Sequence, residues 1–365
     1  MPEPHQLSIH DLPGLVQALP AEERLIFERV FRLSVATGRL YPPPAMHRWV
    51  ESHFGSLEDT LEQTVIRLTN EITLEEALFN PLRSRRPIWR ANPADLEEEL
   101  STASQDPLAN PYDDTPEDLF GRVKGRYCVT ASNMAKFDGF HALIVFKEPH
   151  PLKFSREMVH DYIDTSLRWA ERAQQYDPSA IYYLFMWNCL WRAGASLSHG
   201  HAQVVLGRGR HYGQVERLRR CALDYESAFG RDYFQDLYRA HAAVGCAFQR
   251  GEVRVLAYLT PRKENEAALM APTLSAALKD GIYDALACYR DRLGVTSFNL
   301  VIYHPPIGPS KESWESFPVM VRILDRGEAA SRTADMGAME LYAASVVTSD
   351  PLRLAATLRE AMVGD

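Results

Sequence analysis

Within Ser196-Leu197-Ser198-His199-Gly200-His201-Ala202-Gln203, two histidines and a glutamine stand at alternate positions before the apolar run Val204-Val205-Leu206. Side chains alternate across a β-strand with a period of two, so this spacing predicts a strand with His199, His201 and Gln203 on one face. Gly200 and Ala202 leave the other face nearly bare. Imidazole is neutral and nucleophilic near neutral pH, and one ring of such a row suits attack on phosphorus with retention of the transferred group on nitrogen. An isolated His-x-His reads equally well as a buried pair satisfied by backbone carbonyls, or as part of a metal site. Here the preceding Gly194-Ala195-Ser196 and the upstream Asn188 supply an open turn and polar donors, which suit a phosphate better than a packed core.

The composition restricts the classes of function. The chain has 365 residues, 46% of them hydrophobic, which is enough for two domains or one large double domain. A net charge of −8 argues against a general nucleic-acid or membrane-surface role, since both favour a basic face. Cys128, Cys189, Cys221, Cys246 and Cys288 are scattered with no Cys-x-x-Cys pair, so neither a disulfide framework nor a common zinc knuckle is announced. The N-terminal MPEPHQLSIHDLPG lacks the basic start and apolar core of a signal peptide, and no apolar run approaches the roughly 20 residues of a membrane span. A cytoplasmic protein is expected.

Along the chain, Ile26, Val30 and Leu33 fall at helical spacing, with Gly38 as a stop and Pro42-Pro43-Pro44 as a break. A second helical stretch is predicted over 46–68, carrying Trp49, Val50, Leu57, Leu61 and Val65. From about Phe79 the texture changes to short β-rich runs. The pattern predicts a strand over 142–146, a helix over 155–173 and a strand over 181–187 before the histidine strand. It then predicts a strand over 253–259, a helix over 272–293, and strands over 297–303 and 317–324. Two β-α-β-β units of similar spacing imply an internal duplication. At the matching place in the second unit stands Ser316-Phe317-Pro318-Val319-Met320, without histidines.

The segment from Asn188 to Gln203, NCLWRAGASLSHGHAQ, resembles the Asn-x-Gly-x-x-x-Gly-x-Ser-x-x-His-x-His-x-Gln active-site segment of a known family. That family is the galactose-1-phosphate uridylyltransferase branch of the histidine-triad (HIT) superfamily, which includes the ADP-glucose phosphorylases. Leu190 replaces the usual first glycine. The resemblance implies an α+β fold of two tandem HIT-like modules, antiparallel sheets with helices, covering roughly the last three-quarters of the chain. The expected organisation is a helical N-terminal extension over 1–75, a catalytic module over 76–215 and a degenerate module over 216–365. The extension lies outside the resemblance and is read as a structural or homodimer-forming element.

The resemblance also implies roles. His201 matches the nucleophile, His199 positions the active loop, and Gln203 stands where the hydrolase branch carries a third histidine, which marks transfer over hydrolysis. Asn188, Gly194 and Ser196 match groups that place the phosphate and the nucleophile. Arg83 and Arg86, in Arg83-Ser84-Arg85-Arg86-Pro87, match the two outer arginines of Arg-x-Lys-Arg-Pro. Guanidinium forks suit phosphate oxygens. Asn133 resembles the asparagine of the nucleoside-binding Asn-x-Phe-Pro turn, with Met134-Ala135 inserted and the proline missing, and Glu340 matches the Gly-x-Glu-Leu segment on the sugar side.

Zinc in this family is held by a Cys-x-x-Cys, a histidine just after a strand, and the first histidine of the active-site pair. Glu148-Pro149-His150 matches the second element and His199 the third, but Asp106-Pro107-Leu108-Ala109 stands where the cysteines would lie. Two histidines and at most one aspartate fall short of the four ligands of a structural site. The sequence therefore argues against zinc and calls for no other cofactor. His141 and His304 are read as structural.

The implied function is a nucleotidyltransferase or phosphorylase. Its substrate would be a nucleoside diphosphate sugar or a dinucleoside polyphosphate, with a sugar phosphate or inorganic phosphate as second substrate. A HIT-type nucleotide hydrolase and a catalytically silent nucleotide-binding protein are the alternatives.

Overall fold

The computed structural model describes residues 7–85, 106–329, 331 and 336–364. Its centre is a nine-stranded sheet. The strands are β4 (Cys128–Ser132), β5 (Phe140–Phe146), β6 (Ala180–Asn188), β7 (His201–Arg208), β8 (Ala247–Arg250), β9 (Val253–Ala257), β10 (Ala267–Ala271), β11 (Phe298–Tyr303) and β12 (Val319–Asp325). They lie in the order β4-β5-β7-β6-β11-β12-β10-β9-β8, and every pairing is antiparallel. The two halves mirror each other about the β6–β11 seam, where Asn188 stands opposite Asn299 and Leu184 opposite Tyr303. The double α+β architecture expected from the resemblance is the one found.

One face of the sheet is covered by three helices. The first, Arg156–Tyr176, starts where the Ser155 hydroxyl accepts a hydrogen bond from Met158 N–H. It turns Val159, Ile163 and Ala170 inward at helical spacing, in one core with Ala142, Ile144, Ala202 and Val204 of the sheet. The second, Ala276–Asp291, is capped in the same way by Ser275 and adds Leu278, Ile282 and Ala285. The third, Pro351–Val363, adds Leu354 and Leu358. The opposite face of the second half packs against the helices Ala21–Val30, Gly213–Phe229 and Tyr233–Ala243 and a smaller sheet.

The N-terminal region corrects the all-helical reading. The helix containing Ile26 and Val30 ends at Val30, and the chain continues as β1 (Phe31–Arg39); the segment expected to be helical to residue 68 breaks into helices His47–Phe54 and Leu57–Leu61 followed by β2 (Glu62–Asn70). Thr64, Val65, Ile66 and Thr69 are β-branched and suit a pleated surface, which outweighs the helical spacing of Leu57, Leu61 and Val65. β1 and β2 pair from Phe31↔Asn70 to Arg39↔Glu62, and β3 (Glu76–Phe79) follows β2 antiparallel. The C-terminal β13 (Ser345–Val347) completes this sheet parallel to β3. A boundary at 75/76 therefore cuts a paired unit, and one at 215/216 falls inside the Gly213–Phe229 helix.

The duplication also needs a correction. The strand of the second unit beside β12 is β10, with Met270 opposite Met320, whereas 253–257 lies one place further out as β9. The segment Ala267-Ala268-Leu269-Met270-Ala271 has neither alternation nor β-branching, so it carries no strand signal of its own.

Buried polar residues tie the layers together. Glu75, just before β3, accepts hydrogen bonds from Arg322 (2.7 Å), Arg262 (3.1 Å) and the Tyr258 hydroxyl (2.9 Å). Burial alone would raise its pKa, but the two guanidinium groups and these hydrogen bonds hold it down to about 2. His241 is fully buried; its Nδ1–H donates to Leu237 O (2.8 Å) and its Nε2 accepts from Leu259 N–H (3.1 Å).

Burial pushes the His241 pKa from 6.5 down to about 4 against the opposing hydrogen bond to Leu237. Between those values the unfolded chain binds a proton that the folded chain refuses, so stability rises with pH across that window and is lost as the pH is lowered from 6.5 to 4, by about 3 kcal/mol in all. Urea unfolding at pH 6.5, 5.5 and 4.5 is expected to show this slope, reduced by roughly one proton in His241→Gln. An identical slope in the variant would contradict the assignment.

Candidate active site

β7 begins at His201, so the strand expected to carry all three polar side chains holds only His201 and Gln203, and His199 lies in the tight turn before it. Gly200 N–H donates to Pro149 O (2.7 Å) and Gly200 O accepts from Phe146 N–H (3.0 Å), which seals the turn against the end of β5. A Cβ on Gly200 would stand 2.7 Å from Phe146 Cδ2 and 3.0 Å from Glu148 O, so only glycine fits between the histidines. The His199 ring donates from Nε2 to Phe146 O (2.9 Å) and so fastens the turn to β5.

His201 is 6% exposed, and its Nδ1–H donates to the backbone oxygen of His199 (2.8 Å). The proton of the neutral ring is thereby placed on Nδ1, and the lone pair is left on Nε2. Burial lowers the His201 pKa, opposed by the His199 carbonyl and the charge of Asp106, so the ring is neutral at physiological pH. A neutral imidazole with its free lone pair on the distal nitrogen is a nucleophile held in one tautomer.

Gln203, two residues on, shares this face. Its Oε1 accepts a hydrogen bond from His141 Nε2 (2.9 Å), and His141 Nδ1 accepts from Phe137 N–H (3.0 Å). His141 is fully buried, and desolvation holds its pKa below the ordinary histidine value. The opposite tautomer is therefore imposed on His141, with its proton on Nε2. With Oε1 occupied, Gln203 offers its NH2 group as a donor. Read from the sequence as structural, His141 is instead the group that orients Gln203. The signal available was its place on β5, opposite Val205 and on the face that carries Gln203. Asn133 joins this group, its Nδ2 lying 3.2 Å from His141 Nε2 and its Oδ1 accepting from Ala135 N–H (3.0 Å).

Asn188 ends β6. The register Met186↔Gln203 puts it on the same face, beside His201. Its Oδ1 accepts from Asn299 Nδ2 (2.7 Å), which also donates to Ala193 O (2.8 Å), and Asn299 Oδ1 accepts from Arg326 (2.6 Å). Asn299 and Arg326 belong to the second half of the chain and carry no motif, so they were not singled out from the sequence.

Beyond Asn188 the loop turns through Leu190 at φ +66° and Gly194 at φ +94°. Leu190 O accepts from both Ala193 and Ala195 N–H (3.1 Å each), and this turn delivers Ser196 to the surface. Trp191, Ala195, Ser196, Leu197 and Ser198 line a cavity of about 290 Å³ there.

Arg83 and Glu340 form a second group. Arg83 is exposed in the short 3-10 turn Pro81–Arg85, and Arg86 lies outside the described residues. Glu340 accepts from Gly337 N–H (2.9 Å) and stands 4.0 Å from Lys263. Burial opposes ionisation of Glu340, but the Gly337 and its own backbone N–H groups, Lys263 and Arg83 outweigh it and lower the pKa. Arg83 and Glu340, far apart in sequence, thus sense each other's charge.

Among the described residues, the side chains singled out as zinc ligands are engaged with backbone groups. His150 Nδ1 accepts from Leu152 N–H (3.2 Å), and His199 Nε2 donates to Phe146 O. Asp106 caps Leu108 N–H (2.9 Å) and approaches His199 N–H (3.4 Å). Among the described residues no three His, Cys, Asp or Glu side chains converge for a metal. No helix among them is long and apolar enough to cross a membrane.

No protein-family model matches the chain, and no curated protein matches its sequence. Solved structures do share its fold. An ADP-glucose phosphorylase from Arabidopsis thaliana with bound ADP-glucose superposes with a TM-score of 0.59 at 15% identity, over 79% of this chain and 96% of that one. A uridylyltransferase gives 0.54 at 13% identity, over 68% and 88%. A GalT-like protein from Arabidopsis thaliana gives 0.54 at 15% identity, over 68% and 89%. The chain has the tandem HIT-like fold of these proteins.

Opposed tautomers are a direct test of this geometry. Imidazole 15N spectra at pH 7 are expected to show His201 protonated at Nδ1 and His141 at Nε2. Finding both rings in the same tautomer would undo the hydrogen-bond assignment.

Proposed function

We propose that the protein is a nucleotidyltransferase or phosphorylase that acts on a nucleoside diphosphate sugar through a nucleotidyl group held on His201. The observation that carries this reading is the buried, neutral His201 ring, pinned through Nδ1 to the His199 carbonyl with its Nε2 lone pair free. The ADP-glucose phosphorylase that shares the fold holds ADP-glucose, which supports a nucleotide sugar as the substrate class.

In the first half-reaction Nε2 of His201 attacks the α-phosphorus, a P–N bond forms, and the bond from that phosphorus to the bridging oxygen breaks. The sugar 1-phosphate leaves with the bonding electron pair. In the second half-reaction a phosphate oxygen, from inorganic phosphate or a sugar phosphate, attacks the same phosphorus and His201 leaves. As charge builds on the phosphoryl oxygens, the Gln203 NH2 group and the Ser196 hydroxyl donate hydrogen bonds. Asn188, its Oδ1 held by Asn299, has its NH2 group left to donate. Arg83 and Arg86 neutralise the departing phosphate, Gly194 lets the backbone approach it, Asn133 faces the nucleoside and Glu340 the sugar. His199 fixes the turn and supplies the carbonyl that sets the His201 tautomer.

Incubation with nucleoside diphosphate sugars labelled at the α-phosphate is expected to give an acid-labile protein adduct that a phosphorylated acceptor discharges. His201→Ala is expected to abolish both adduct and turnover. A labelled His201→Ala protein would remove the nucleophile from this scheme. Discharge by water at the same rate with and without acceptor would favour a hydrolase, and binding with no adduct in the wild type a silent nucleotide-binding protein.

We further propose that the reaction needs no zinc. Thiolates supply much of the affinity of a mixed Cys/His site, and His150 and His199 alone bind zinc weakly. Elemental analysis is expected to find far less than one zinc per chain, with activity unaffected by chelation. Stoichiometric zinc that disappears in His150→Ala would reverse this conclusion.

A further inference from the structure

The face of the sheet opposite His201 carries a feature that the proposed reaction does not use. Ala202 and Val204 alternate with His201 and Gln203 and pack with Ile163 and Ala170 of the Arg156–Tyr176 helix, so that helix lies behind the site. Its outer surface and the loop before β4 enclose a cleft of about 460 Å³, lined by Arg122, Lys124, Arg168, Arg172, Glu171 and Gln175 along with Val123. Four cations meet one carboxylate here, in a chain whose net charge is −8.

We propose that this cleft is a second binding site, specific for a small molecule that carries two or three linked phosphates. Its arginines are held by hydrogen bonds, and its cations are largely unneutralised. Arg122 is anchored to Thr115 O (2.6 Å) and Thr130 O (2.9 Å), and its nearest carboxylate, the exposed Glu117, is 4.0 Å away. Arg172 donates to Arg122 O (3.1 Å), Arg168 to Thr165 Oγ1 (2.8 Å), and Lys124 lies 5.1 Å from the centre of the Tyr112 ring. Among the described residues, Lys124, Arg168 and Arg172 have no carboxylate within ion-pair distance. Each arginine is thus held by part of its guanidinium fork with N–H groups left over, which lowers the ordering cost of gripping an anion.

The bland explanation is a helix whose C-terminal turns attract cations through the backbone dipole. It covers Arg172 but neither Lys124 nor Arg122, which reach the cleft from a separate loop. Arg168 and Arg172, four apart on one helix, repel each other unless an anion lies between them.

The surroundings set the size of the ligand. A cavity further along the same helix is of mixed charge, with Glu157, Asp161 and Asp164 set against Arg126, Arg156 and His160, so the mainly cationic surface does not continue into it. Four cations match the charge of two or three linked phosphates and are fewer than the roughly six to ten phosphate contacts typical of a protein that follows a nucleic-acid backbone. The volume lies in the roughly 300–1,000 Å³ range of small-molecule sites.

Inorganic tripolyphosphate is the probe, titrated calorimetrically into the full chain. Arg168→Glu/Arg172→Glu and, from the opposite wall, Lys124→Glu change exposed side chains and leave the His201 face untouched. Each is expected to weaken binding at this site at least tenfold. The matched reversal Arg48→Glu/Arg353→Glu alters the net charge as much as the double cleft variant but lies outside the cleft, and it is expected to bind as the wild type does. Failure of the wild type to bind, unchanged binding in the cleft variants, or equal loss in the matched control would each overturn the proposal.

Discussion

The pairing of β6 with β11 is the contact on which the rest of the architecture depends. Each half of the chain supplies a few strands and one long helix, and neither half closes its own sheet. Once β6 and β11 pair, the nine strands become one surface, and the helices Arg156–Tyr176 and Ala276–Asp291 are brought side by side behind it, where Arg156 bridges to Asp280 and Asp284. The same seam sets Asn188 opposite Asn299. His201, Gln203 and Asn188 belong to the first half, but the side chain that holds Asn188 comes from the second. A repeat with no His-x-His pair on its matching strand thereby keeps a structural role, as the template against which the loop after Asn188 is placed.

The site itself is organised by assigning each polar atom one partner. His201 Nδ1 is committed to a carbonyl, His141 Nε2 to Gln203 and Gln203 Oε1 to His141, and what remains free is one lone pair and one amide donor. In a buried environment an unpaired polar group is costly and a paired one is rigid, so the same desolvation that keeps the rings neutral also fixes their tautomers. Preorganisation of this kind is what a reaction that develops charge on phosphoryl oxygens requires.

Much of this was legible in the sequence because it is written in local periodicity. The alternation of His201 and Gln203 along β7, the buried run over 142–146 and the amphipathic 155–173 segment each carry their own signal, whereas His199 falls in the turn before the strand. The failures are non-local. β1 and β2 are strands because they pair with each other and cover Phe27 and Val30 beneath them, and the alanine-rich β10 is one because β9 and β12 flank it. His141, Asn299 and Arg326 act through partners 62, 111 and 27 residues away, and no single-window pattern contains such a pair.

Leu190 shows how far a motif can depart from its rule while the geometry survives. The family resemblance puts glycine there, and the structure explains why: φ is +66°, a region where a side chain costs about 1–3 kcal/mol. Leucine is tolerated because the side chain is 2% exposed and belongs to the main core, and removing a buried leucine costs about 2–5 kcal/mol. The core contact exceeds or matches the strain, so the turn that leads to Gly194 and Ser196 is held by packing here, where a glycine would hold it by conformational freedom. A loop fixed in this way is stiffer than a glycine-rich one. That stiffness fixes the direction in which Gly194 and Ser196 leave the turn, because the ordering comes from side chains packed around Leu190.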